Sequence, residues 1–126
     1  LSMEVIFLDS ILNSIKNQLN INVEETGFDD ELILHINSVF SALYQIGVGP
    51  DNGYSISDSS SLWTSYLTNE VALEMVKSYM YLKVKSMFDP PANSSYLSAM
   101  NEMIKEYEWR MSIFGHANLK EDESDG

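Results

Sequence analysis

Cysteine is absent from the 126-residue chain, which excludes disulfides, thiolate nucleophiles and cysteine-ligated zinc or iron–sulfur centres. Basic residues are scarce: 7 Lys and Arg stand against 19 Asp and Glu, a formal net charge of −12. Phosphate backbones and anionic membrane surfaces repel a surface of that sign, so neither groove reading of DNA nor membrane binding is expected. No apolar run approaches the ~20 residues of a transmembrane helix, and Leu1-Ser2-Met3-Glu4 lacks the basic region of a secretory signal. The glycines at 47, 49 and 53 match neither a P-loop nor a dinucleotide fingerprint, and no serine sits in a nucleophile elbow. An enzyme is therefore not expected, and neither is a cofactor.

What remains is an ordinary globular balance, 44 % hydrophobic and 21 % charged, at a length that fits one domain. Helical spacing dominates. Val5, Leu8, Leu12, Ile15 and Leu19 predict a helix over about Glu4–Asn20, followed by an acidic loop over residues 20–30. A second helix is predicted over about Asp30–Ile46, with Ile33, Ile36, Val39 or Phe40, and Leu43 inward and Gly47 closing it. Residues 47–60 are dense in turn formers and longer than a usual helix connection. Within them Tyr54-Ser55-Ile56 reads as a short extended piece, and Asp58 to Ser61 offer caps for a short third helix carrying Leu62, Trp63, Tyr66 and Leu67. The fourth helix, about Asn69–Phe88, places Ala72, Met75 or Val76, Tyr79, Leu82 or Lys83, and Met87 on one face. Val71, Leu73, Met80, Tyr81 and Val84 fall elsewhere on it, as in a central helix. Asp89-Pro90-Pro91 stops it. Asn93 or Ser94 then caps a fifth helix whose stripe runs Leu97, Met100, Ile104, Tyr107, Met111 and Phe114, with Gly115 as its end. The expectation is an all-α, compact bundle of four to five helices with one long loop at about 47–60. It forms a helical domain over residues 1–115, with a flexible acidic tail over 116–126.

Candidate chemistry is thin. Glu31 lies one turn before His35, but zinc needs at least three protein ligands and no third is placed nearby, so no metal is expected. Glu70/Glu74 and Glu102/Glu106 have helical spacing, yet Lys77, Lys105 and Arg110 make ordinary surface ion pairs of Glu74, Glu102 and Glu106. Charge is uneven along the chain: residues 1–63 hold 9 acids and 1 base, residues 64–126 hold 10 acids and 6 bases. The 7 Tyr, 5 Phe, 2 Trp and 7 Met exceed what one small core absorbs, which points to a protein–protein contact. Trp109 falls on the far side of its helix from the Leu97–Phe114 stripe, so it is expected to face outward.

One order of segments resembles a known family. Leu8-Asp9 and Ile15-Lys16 in the first helix precede Glu31-Leu32-Ile33-Leu34-His35-Ile36-Asn37 and then Gly47-Val48-Gly49-Pro50. A short helix bearing Trp63 follows, then Val76-Lys77-Ser78-Tyr79, Phe88-Asp89-Pro90-Pro91 and Glu106-Tyr107-Glu108-Trp109-Arg110. Over about residues 5–114 this resembles the head–tail connector (adaptor) proteins of long-tailed bacteriophages and prophages, also labelled DNA-packaging proteins. The resemblance implies a structural virion protein without an active site, made in the host bacterial cytoplasm. It implies a homo-oligomeric ring, usually of twelve copies, beneath the portal protein. The ring extends the DNA channel, lets DNA pass without specific binding, and docks a stopper or tail-completion protein. Trp63, Tyr66, Phe88, Asp89, Pro90, Pro91, Trp109 and Arg110 are the candidate interface residues. The alternative is an acidic DNA-mimic inhibitor of phage or prophage origin. Net charge fits that equally well, but the acids cluster at 24–31 and 121–125 rather than in regular rows.

Overall fold

The computed structural model describes residues 9–125, and the side chains of residues 9–113. Among these residues the chain forms five helices and no strand: α1 (Ile11–Gln18), α2 (Asp29–Gln45), α3 (Trp63–Tyr66), α4 (Glu70–Phe88) and α5 (Ser94–Asp125). The class is the all-α bundle that the periodicity predicts. α4 packs against both α2 and α5, and α1 packs against α2.

The first helix is shorter than its apolar stripe suggests. Ser10 is extended and caps α1, its Oγ accepting from the Asn13 N–H at 3.3 Å, and it pairs with Leu62 in an isolated antiparallel bridge. One helix therefore cannot run through from Glu4, and the Glu4–Leu8 part of that expectation lies outside the described residues. α1 ends in a Schellman motif, with Asn20 left-handed at φ 63° and the Ile21 N–H donating to the Lys16 carbonyl at 2.8 Å. α2 opens on Asp29, Asp30 and Glu31, where carboxylates oppose the helix dipole favourably. It closes as predicted on Gly47, φ 87°, with the Val48 N–H reaching the Leu43 carbonyl at 3.0 Å. Its inward residues are Leu32, Ile36, Val39, Phe40 and Leu43, while Ile33 is only half-buried.

On α4, Ala72, Val76 and Tyr79 are buried as expected, but so are Leu73, Met80 and Val84. A helix between two partners buries two faces, and Met87, placed inward by spacing, is left at the surface. Asn93 caps α5 through Oδ1, which accepts from the Ser95 and Tyr96 N–H groups at 2.8 and 3.2 Å. Met100, Ile104 and Met111 fill the core, Leu97 and Tyr107 are half-buried, and Phe114 lies outside the described side chains. The predicted stop at Gly115 is corrected by the backbone: α5 runs on to Asp125. Glycine weakens a helix by about 1 kcal/mol relative to alanine, which discourages continuation without terminating it.

The long connection is irregular but fastened. The Asn37 amide takes the place of a paired strand for Ile56, its Nδ2 donating to the Ile56 carbonyl at 2.9 Å while Oδ1 accepts the Ile56 N–H at 2.8 Å. Gly49 is left-handed at φ 98°, and a Cβ there would lie 2.7 Å from the Tyr66 ring. Ile11 donates to the Ser61 carbonyl at 3.0 Å, and Ser10 Oγ to that of Ser59 at 2.7 Å. Asp58 closes a local turn on Ser60 rather than capping α3, which Leu62 precedes without a side-chain cap. Those bonds from the Ser60 hydroxyl and N–H hold the Asp58 carboxyl below the usual carboxylate range.

Candidate docking surfaces

The candidate interface residues separate into three places. Trp63 and Tyr66 are in the core, which corrects their expected place at a contact surface. Trp63 is 0 % exposed, its Nε1 donates to Ser14 Oγ at 2.9 Å, and its ring meets Phe40 edge-on at 6.2 Å between centroids. Tyr66 meets Phe40 at a tilt and Tyr54 edge-on, with centroids 4.6 and 5.1 Å away, and burial pushes its hydroxyl pKa well above the ordinary tyrosine range. The aromatic excess in this half of the chain is thus largely absorbed by packing the irregular connection.

The second place is the outer face of α5. Trp109 is 65 % exposed, as its angular displacement from the inward stripe predicts, and Tyr96, Met103 and Ile113 on the same helix are also exposed. Arg110 donates to Glu106 at 2.7 Å one turn back, so the cation beside Trp109 is held on the surface. Exposed pairs of this kind add little stability. They do fix where a charge sits. Lys77–Glu74 and Lys105–Glu102, at 3.8 and 3.9 Å, are the other ion pairs that spacing predicts. Inside the same helix, Glu108 accepts from the buried Tyr79 hydroxyl at 2.8 Å. Burial first, and that carboxylate second, raise the Tyr79 pKa far above its ordinary value.

The third place is the corner after α4. Phe88 is half-buried, Asp89 and Pro90 are exposed, and Pro91 is half-buried. Lys85 reaches the Asp89 carboxylate at 3.4 Å. The corner opens the path into α5, and Trp109 lies 15 residues beyond Ser94, about 22 Å along the helix axis. Corner and tryptophan are therefore distinct surfaces.

Two residues given no role by the sequence, one at the corner and one behind it, complete this region. Phe28, in the acidic loop, meets the Phe88 ring edge-on at 5.4 Å between centroids. Lys16 holds that loop in place: it is 1 % exposed, and its Nζ donates to the Val23 carbonyl at 3.0 Å, to the Glu25 carbonyl, and to Asp29 Oδ1 at 2.7 Å. Three donors meet three acceptors, which is what a buried ammonium requires. Its signal was the isolation of one base among nine acids in residues 1–63.

Nothing gathers into a reacting site among the described residues. Glu31 lies 3.5 Å from His35, and no three His, Asp or Glu side chains there converge on a metal-sized position. A surface groove of about 490 Å³ runs along residues 44–51 and Ser112, with Asp51 as the one charged side chain among the described residues that line it. No helix among the described residues is long and apolar enough to cross a membrane. A family model described as phage connector protein matches residues 11–117. Searches of curated proteins and of solved structures return no match.

Proposed function

The chain belongs to the phage connector protein family, whose model spans residues 11–117, and from that membership we propose that it works as a head–tail adaptor in the virion. The family is structural, and its members join parts of a phage particle. On this reading, copies close into a ring of about twelve beneath the portal, the ring continues the DNA channel, and its far side receives the stopper or tail-completion protein. The net charge of −12 supports a channel that DNA traverses without adhering. The family match also favours this reading over a DNA-mimic inhibitor.

The observation that carries the portal contact is Trp109. Of the two tryptophans it is the one left without cover, on a helix whose core positions are already filled by Met100, Ile104 and Met111. Tryptophan and arginine side by side are the residue types that most often anchor protein contacts. Mixing the protein with its cognate portal, followed by light scattering and electron microscopy, tests the proposal. Rings on the portal are expected from the native chain, and Trp109→Ala is expected to lose attachment at every salt concentration. A native chain that stays monomeric and unattached, or a variant that attaches normally, rejects it.

A further inference from the structure

The N-cap of α2 breaks a local rule. Ser, Thr, Asp and Asn are favoured there because their side chains accept an orphan N–H, yet the position is Phe28, with no side-chain cap. The ring is not hidden as compensation, since Phe28 is 43 % exposed. It pairs with Phe88 in a T-shaped arrangement, and Met87, the residue before Phe88, is 39 % exposed. The loop bearing Phe28 is nonetheless held by the saturated Lys16 ammonium, so the ring is presented rather than loose. A helix start that forgoes its cap to show an aromatic ring, on a loop anchored by a buried cation, is a preorganised surface.

Charge identifies what it fits. Asp30 follows the ring within α2 and Asp89 follows Phe88, both exposed, and Lys85 covers Asp89 only at 3.4 Å. The sole base among residues 9–63, Lys16, is buried and already paired with Asp29. We infer that Phe28, Met87, Phe88 and Pro90, rimmed by Asp30 and Asp89, dock a protein segment that carries an apolar anchor flanked by Lys or Arg. The anchor sits against the aromatic edges, and the flanking cations meet the two carboxylates and the ring faces. The inference rests on the connector reading only in taking that segment to belong to another virion protein. It concerns a surface apart from Trp109.

Short fluorescein-labelled peptides and the full chain test this by anisotropy, with neither portal nor ring present. One peptide combines Leu and Phe with Arg, one replaces Arg by Glu, and one replaces the apolar residues by Ser. Only the first is expected to bind well. Phe28→Ser supplies the missing N-cap while removing the ring, so its melting temperature should stay near that of the native chain while affinity falls at least about tenfold. Asp30→Asn with Asp89→Asn, which leaves both rings in place, should weaken binding and flatten its dependence on salt. Failure of the Leu/Phe/Arg peptide to bind, equal binding by the Arg/Ser peptide, or unchanged binding by both variants would overturn the inference. So would a change in sedimentation of Phe28→Ser alone, which would assign the patch to a second copy of the chain. Portal attachment that survives Phe28→Ser but not Trp109→Ala keeps this surface separate from the portal contact.

Discussion

Residues 47–62 and α5 reverse the usual association of regularity with commitment. The connection has no regular structure, yet Val48 and Ile56 are buried within it and its backbone is fastened by Asn37, Ser10 and Ile11. The helix is regular throughout, yet it leaves Tyr96, Met103, Trp109 and Ile113 uncovered. Backbone pattern reports how a segment satisfies its own N–H and C=O groups. Whether its side chains are free for another protein depends on what is packed against them.

That contrast can be broken by substitution. The largest effect is expected at Trp63, which anchors the connection to α1 and α2: Trp63→Ala should destabilise the chain by about 3–5 kcal/mol in urea unfolding. Next is Asn37→Ala, which strands both backbone groups of Ile56. It should cost about 1–3 kcal/mol, and amide exchange should rise at Ile56 before α4 is affected. If Asn37→Ala is neutral, the connection is held by aromatic packing alone. A third test uses pH. Tyr66 and Tyr79 have pKa values raised by burial, so the folded state keeps protons that the unfolded chain releases. Stability from these groups is fully present below about pH 10, the ordinary tyrosine value, and is lost as pH rises above it. Chemical unfolding at successive alkaline pH values should show that decline, and Tyr79→Phe should make it shallower. The smallest effect on folding is expected at Trp109→Ala, within about 0.5 kcal/mol. Destabilisation on the scale of Trp63→Ala would place Trp109 in the core and erase the distinction.

Helices were legible in the sequence because each carries its own periodicity and punctuation. Gly47 closes α2, Asn93 caps α5 and Asp89-Pro90-Pro91 ends α4, all through local stereochemistry. The break at Ser10 was not legible, because it depends on Leu62, 52 positions away in the chain. Trp63 and Tyr66 were misplaced for the same reason. A four-residue helix shows no face, and only the rings of Phe40 and Tyr54 decide which way it turns. Trp109 could be read outward because a long stripe on one helix defines its opposite side. Phe28 was not legible, because Asp29 and Asp30 offer the polar start of the helix in the sequence, and both its place at the cap and its meeting with Phe88 are tertiary facts.

The seclusion of Lys16 divides the molecule for any reagent that seeks amines. Among the described residues every other lysine lies on α4 or α5, at positions 77, 83, 85, 105 and 120. Acylating probes and lysine cross-linkers will therefore map those two helices and pass over residues 9–63. Lys16 itself can react only when the loop over residues 20–28 lifts away and its ammonium loses the three oxygens that surround it. The slow appearance of a modified Lys16 in a mass spectrum is thus a clock. It counts the openings of one loop in an otherwise folded protein, with no label to be introduced.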